Sequence, residues 1–150
     1  MEILNYSKNG FEISTDRSRL DVQVIHRFLS EESYWAKNIS MEAVKCSVEN
    51  SLCYGMYYEN RQIGFAKVIT DFATTAYLGD VFILKEYRGK GLSHWLMTVI
   101  LSHPRLQNLR RWILATKDAH GLYTKSGFGP LAKPERWMEL HKPDAYVHSS

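Results

Sequence analysis

The stretch Leu84-Lys85-Glu86-Tyr87-Arg88-Gly89-Lys90-Gly91-Leu92-Ser93 lies where the hydrophobic period of the chain changes. Before it, Ala76 to Ile83 reads as a β-strand. After it, Leu92, Trp95, Leu96, Val99 and Ile100 fall on one stripe of a helix that stops near Pro104. The segment is therefore a basic, glycine-containing loop that feeds a helix N-terminus. Backbone N–H groups at a helix start lack intrahelical partners, and the helix dipole adds partial positive charge there, so the loop is prepared for an anion. Gly89 and Gly91 permit backbone conformations and a close approach that a side chain would block, while Arg88 and Lys90 add full charge. A diphosphate is the natural guest. Two common phosphate loops are excluded by inspection: in G-x-x-x-x-G-K-[ST] the lysine follows both glycines, whereas Lys90 lies between them, and G-x-G-x-x-G fails at His94.

Working outward toward the N-terminus, Phe11, Ile13 and Thr15 alternate with Glu12 and Ser14 as in a half-buried strand. Ser18 with Asp21 is a weak capping box ahead of a helical face made of Leu20, Val24, Ile25, Phe28 and Leu29. A second helix is expected from Ser40 as N-cap, through Met41, Val44 and Val48, to Asn50. Leu52 to Tyr58 and Gln62 to Thr70 then alternate as a hairpin about Glu59-Asn60-Arg61, with Lys67 interrupting an otherwise apolar series. Toward the C-terminus, Trp112 to Ala115 is a short strand, Asp118 to Ser126 a short helix ended by Gly127, and Trp137 to His141 a last strand. The order βααβββαβαβ(β) predicts one α/β (α+β) domain over residues 1–150 with its core at about 9–143. Its sheet should be mixed and mostly antiparallel, of six or seven strands, flanked by about four helices.

A chain of 150 residues, 45% hydrophobic, builds one core without staples. Cys46 and Cys53 form neither a disulfide framework nor a metal-ligand spacing, so no metal is expected and a reducing compartment is. No apolar run approaches the ~20 residues of a membrane span, and Met1 to Gly10 lacks the apolar stretch of a secretory signal. The expectation is a cytoplasmic protein without a membrane partner. The net charge of +3 divides unevenly, −3 over residues 1–60 and +6 over 61–150, which assigns a polyanionic ligand to the second half.

At this point two motifs carry a resemblance. Arg88-Gly89-Lys90-Gly91-Leu92-Ser93, between a strand and a helix, looks like the Q/R-x-x-G-x-G/A coenzyme A loop of the GNAT family of N-acetyltransferases. Ala119, Leu122, Tyr123, Gly127 and Phe128 resemble that family's A-x-x-L-Y-x-x-x-G-F segment. Within the family, Asp80-Val81-Phe82 and the run from Asp118 to Tyr123 look like a bacterial subgroup. Ser93 departs from the usual Gly or Ala, and Thr116 stands where many members carry an Asn that touches the pantetheine arm. The resemblance implies acetyl-CoA as cosubstrate, with its diphosphate on the amides of Arg88, Gly89, Lys90, Gly91, Leu92 and Ser93. It implies a pantetheine arm along the backbone of Val81, Phe82 and Ile83, near Thr116 and Ala119, and an amide near Phe82 as oxyanion donor. It further implies direct transfer of acetyl to a primary amine, with Tyr123 as general acid for the departing thiolate; the alternative is a core tyrosine on an amphipathic helix.

For the base, Asp80 is the foremost carboxylate, expected on one strand face with Leu78 and Phe82. It either takes the amine's proton, or pairs with a basic neighbour or orients the amine without taking it. Glu32 and Asp71 are weaker acceptor-side candidates. Tyr34 and Trp35 either line an acceptor pocket or cover the core. His120 does not face Asp118 on a helix and reads as a surface or packing residue. The acidic first half suggests a cationic acceptor, a small molecule or a peptide, and a homodimer is possible. A non-catalytic acyl-CoA-binding or regulatory module is the rival reading. A nucleic-acid partner is set aside, because Lys85, Arg88, Lys90, Arg105, Arg110 and Arg111 cluster in two connecting loops without interleaved aromatics.

Overall fold

The computed structural model describes residues 1–147. Its strands are β1 (Asn5–Lys8), β2 (Phe11–Ser14), β3 (Leu52–Tyr58), β4 (Arg61–Thr70), β5 (Thr75–Ile83) and β6 (Arg111–Ile113). They form one sheet in the order β1-β2-β3-β4-β5-β6, antiparallel throughout except for the parallel pair β5–β6. The helices are α1 (Val22–Arg27), which continues as a π-helical turn over Phe28–Glu32, then α2 (Met41–Glu49), α3 (Leu92–Leu101) and α4 (His120–Lys125).

The expected mixed sheet of six strands and four helices is present, but its membership differs at both ends. β1 was not anticipated; it enters through a two-residue turn at Asn9 and Gly10, whose φ of 52° and 85° match the twist of a tight hairpin. The sheet thus begins at Asn5, ahead of the expected core boundary. The strand expected at Trp137 to His141 does not form among the described residues: Met138 is 96% and Leu140 84% exposed. Alternation reports which side chains share a face, whereas a strand also needs a neighbouring edge to pair with.

Local signals were largely obeyed. Ser40 Oγ accepts from Ala43 N at 3.1 Å and α2 ends at Asn50. The start of α1 is a correction. Asp21 is the cap, accepting from Gln23 N and Val24 N, while Ser18 lies in a preceding turn and donates to Asp16 at 2.7 Å. An ionised side chain two residues ahead of free amides is the stronger acceptor there.

Two cores sandwich the sheet. On one face Tyr54, Ala66, Val68 and Leu78 pack with Leu96 and Ile100 of α3 and Tyr123 of α4. On the other, Cys53, Phe65 and Phe82 pack with Ile25, Phe28, Val44 and Val48. Leu96 has no exposed surface. Leu96→Ala should therefore lower stability by about 2–5 kcal/mol, seen as a fall in the denaturant midpoint at unchanged m-value.

Between β4 and β5 the register jumps from Lys67↔Gly79 to Phe65↔Phe82, so Ala66 opposes both Asp80 and Val81. This bulge inverts the alternation. Leu78 belongs to the α3 core and Phe82 to the α1–α2 core, and the single face expected to hold Leu78, Asp80 and Phe82 does not exist. Asp80 itself takes φ 53°, uncommon for a residue with a side chain.

Candidate active site

β5 and β6 pair only from Thr75–Tyr77 to Arg111–Ile113. β6 stops short of the expected Ala115, and from Leu78 to Ile83 the outer edge of β5 has no strand beside it among the described residues. A cleft fills this splay, flanked by α3 and α4.

One end of the cleft is built from the loop with which the sequence reading began. A cavity of about 740 Å³ is bounded by Ile83, Arg88, Gly89, Gly91, Ser93 and Lys125, among others. α3 starts at Gly91 with no side-chain cap, and its first internal hydrogen bond is from Trp95 N to Gly91 O at 3.2 Å. The amides of Leu92, Ser93 and His94 therefore have no helical acceptor. Gly89 and Gly91 have φ of 81° and 75°, and a Cβ on either would meet no atom within 4 Å. Their need for glycine is conformational, and the surface they leave is bare. Arg88 donates from Nε to Ile83 O at 2.8 Å, which fixes the guanidinium and turns its remaining N–H groups to solvent.

The other end, a cavity of about 450 Å³, is lined by Tyr34, Trp35, Lys67, Asp80, Thr116 and Tyr123 with the bulged part of β5. Its roof comes from the segment after α1. The π-turn sets Phe28 flat on Phe82, centroids 4.0 Å apart, and Ser33 Oγ ties the chain by donating to Leu29 O at 2.6 Å and accepting from Ala36 N at 3.1 Å. Trp35 Nε1 then donates to Asp80 Oδ1 at 2.7 Å. Tyr34 spans the cleft, its hydroxyl accepting from Lys117 N at 2.7 Å. Asp80 also pairs through Oδ2 with Lys67 Nζ at 2.8 Å, and Lys67 donates on to Ser47 Oγ. Both carboxylate oxygens are thus engaged.

Tyr123 stands between this cavity and a neighbouring one beside β6. Its position follows from the end of α4. Gly127 at φ 99° lets Gly127 N donate to Thr124 O and Phe128 N to Tyr123 O, both at 3.1 Å, and the Phe128 ring stacks edge-on to Tyr123. This is the hydrogen-bond pair and apolar contact of a Schellman ending, so the L-Y-x-x-x-G-F pattern is a device for setting one tyrosine. Tyr123 is 9% exposed, and its hydroxyl makes no hydrogen bond to another described residue. Burial raises its pKa above the ordinary value, with Tyr34 and Asp118 adding in the same direction. Thr116 Oγ1 accepts from Ala119 N at 3.1 Å, so it shapes the start of α4.

Of the expected acceptor-side residues, Tyr34 and Trp35 reach the cleft, whereas Glu32 and Asp71 line neither of its cavities. Asp71 sits at the β4–β5 hairpin tip and accepts from Ala73 N, Thr74 N, Thr75 N and Thr74 Oγ1, which holds its carboxyl well below the usual range. Its work is local to the turn. Lys67 was missed as a site residue, although a lysine inside an apolar strand pattern was the available signal. Among the described residues no group of His, Cys, Asp or Glu could hold a metal ion, and no helix is long and apolar enough to cross a membrane.

Comparison with known proteins points one way. Residues 22–128 match the family model described as the Acetyltransferase (GNAT) family. A Gibberella zeae protein named as an acetyltransferase is 29% identical, with 81% of this chain and 80% of that protein covered. The crystal structure of a GNAT-family protein from Xanthomonas campestris pv. campestris superposes with a TM-score of 0.91 at 48% identity, covering 95% of this chain and all of that one. A GNAT-family acetyltransferase from Elizabethkingia anophelis, solved with acetyl-CoA bound, shares the fold at a TM-score of 0.59 and 17% identity, over 81% of this chain and 78% of its own.

Proposed function

Because the chain belongs to the GNAT acetyltransferase family, we propose that it moves the acetyl group of acetyl-CoA to a primary amine by direct attack in the β5–β6 cleft. The observation that carries this reading is the cleft itself: an uncapped helix N-terminus at one end and, at the other, the unpartnered hydroxyl of a tyrosine whose ring is largely buried. When bound, acetyl-CoA supplies an activated thioester. The amides of Leu92, Ser93 and His94, the free N–H groups of Arg88 and the Lys125 ammonium would hold its diphosphate. The open edge of β5 at Val81, Phe82 and Ile83 offers backbone groups to the pantetheine amides, and an amide near Phe82 is suited to a developing oxyanion.

Tyr123 is the proton donor to the sulfur. Held protonated by burial, it donates a hydrogen bond; a thiol's pKa of ~8.5 lies below a tyrosine's ~10, so full transfer draws on the acidic proton of the attacking amine. Asp80 is better suited to positioning than to accepting a proton, since Trp35 and Lys67 already occupy its oxygens. An acceptor that arrives as an ammonium loses one proton to water before it attacks, and the second, released as the C–N bond forms, replaces the one that Tyr123 gives the sulfur. The lining of this cavity adds no excess of acid to the case for a cationic acceptor, although the aromatic faces of Tyr34 and Trp35 suit a cation. Glu31 and Glu32 do not line the cavity, and its charged residues balance as Lys67 and Lys117 with Asp80 and Asp118. The wall at Tyr34, Trp35 and Tyr77 is aromatic and favours an amine with a flat or apolar body. Two free thiols, one exposed at Cys46 and one buried at Cys53, accord with a cytoplasmic setting.

The test is thiol release from acetyl-CoA across a panel of aryl-alkyl, polycationic and acidic primary amines. Turnover with at least one amine, fastest for the aromatic members, is expected. Tight coenzyme A binding without turnover on any amine would favour the non-catalytic module instead.

A further inference from the structure

On the side of the sheet away from α3, the start of α1 is pinned beside the β3–β4 turn. Gln62 makes the joint: its buried side chain accepts from Asp21 N through Oε1 at 2.6 Å and donates to Gly64 O through Nε2 at 3.1 Å. Asp21, Val24 and Arg27 follow one another at intervals of three and so share one face of the helix. Glu59 and Asn60, at φ 51° and 64°, form the tight turn after which β4 opens with Arg61. A cavity of about 490 Å³ lies between these elements, and Arg19, Arg27 and Arg61 all line it.

Among the described residues of this wall Asp21 is the one acid, and its Oδ1 already accepts from Gln23 N and Val24 N. Arg19 is held over Tyr57, its guanidinium carbon 4.2 Å from the ring centre, with Glu12 at 3.4 Å on its Nη1. The side chains of Arg27 and Arg61 are exposed and have no hydrogen bond or ion pair to any described residue. Three guanidinium groups thus meet one space with a single carboxylate against them, which gives the cavity a positive potential. Each free guanidinium is a planar fork that takes two oxygens of a phosphate at once. The rest of the wall includes Leu20, Val24 and Leu84, an apolar surface that bare phosphate leaves unused.

We propose that this cavity binds an organic phosphate monoester as its dianion, with Arg27 and Arg61 as the forks, Arg19 as a third cation, and the apolar wall against the ester's carbon body. The site is separate from the coenzyme loop. Leu84 packs with the α1–α2 core while its neighbour Ile83 packs with the α3 core, so this cavity and the one at α3 lie on opposite faces of the sheet. No residue is common to this cavity and the cleft, and the proposal stands without the acetyl-transfer reading.

The test follows the arginine Nε–H signals of the full chain by nuclear magnetic resonance at about pH 7.5, where a phosphate monoester is mostly the dianion. Coenzyme A is present in excess, and phenyl phosphate, inorganic phosphate or benzoate is added. Phenyl phosphate is expected to shift the Arg19, Arg27 and Arg61 signals saturably and to bind at least about fivefold more tightly than inorganic phosphate, with benzoate weaker still. Arg27→Gln plus Arg61→Gln should weaken phenyl phosphate at least about 30-fold, through loss of two charge-assisted forks. Circular dichroism should be unchanged, because neither side chain contacts the fold through a polar bond. Native arginine signals that do not move saturably would overturn the proposal, a reading that holds even if the variant misfolds. So would a folded variant with native affinity, inorganic phosphate as tight as the ester, or benzoate as tight as either. If the α3 loop does not hold coenzyme A, phosphate bound there moves the Leu92 and Ser93 amides and leaves Arg27 and Arg61 in place, so failure of the acetyl-transfer reading registers separately.

Discussion

Tyr123→Phe is expected to lower kcat by about 100-fold or more while leaving the KM for acetyl-CoA within about twofold, the signature of a group used in the transition state and not in ground-state binding. The phenyl ring keeps the packing against Phe128, so stability should change little. The pH profile distinguishes this from a structural effect. An acid must be protonated to act, and burial raises the Tyr123 pKa. The native enzyme should therefore show no falling limb below about pH 10, while its rising limb follows deprotonation of the acceptor amine. In the variant the rising limb persists at reduced height. A variant with native kcat would remove Tyr123 from the chemistry and return it to the α3 core, where its ring already belongs.

The second large effect belongs to Gly91. At φ 75° any L side chain is strained by about 1–2 kcal/mol, and a β-branched one by more. Gly91→Val should raise the KM for acetyl-CoA about 10–100-fold, by tilting the first turn of α3 and screening the amides of Leu92 to His94. With the coenzyme saturating, kcat should recover most of its native value, because Tyr123 is set by α4 and not by this loop. Equilibrium binding of coenzyme A, measured by calorimetry, checks the first part. Equal losses in KM and kcat would mean that the loop and the tyrosine are not independent.

How far these features could be read without coordinates depends on how local their causes are. The Arg88–Ser93 loop was legible because helix entry, glycine and charge are neighbours in the chain; all of its residues except Lys90 line the cavity at α3. Gly127 was legible as a helix ending for the same reason. Asp80 was not. Its placement hangs on a bulge that requires β4 as a partner, and nothing within Leu78-Gly79-Asp80-Val81-Phe82 announces that Ala66 will face two residues. The roof over the cleft was equally hidden, since Tyr34 meets Lys117 across 83 positions of chain. Asp71 was credited to the site because acidity is visible in sequence and location is not; its carboxylate serves the turn that contains it.

By itself, then, the sequence determined the things that act within one or two turns of chain: the periods of strands and helices, the caps at Ser40 and Gly127, and an anion-ready loop between β5 and α3. Hydrophobic spacing and backbone conformation suffice for those. Only the tertiary structure decided which elements share an edge. It set the early divergence of β6 from β5 that opens the cleft, the capture of Asp80 by Lys67 and Trp35, and the exclusion of Trp137–His141 from its own sheet. Those outcomes depend on hydrogen bonds and packing between residues far apart in the chain, whose geometry no local pattern carries.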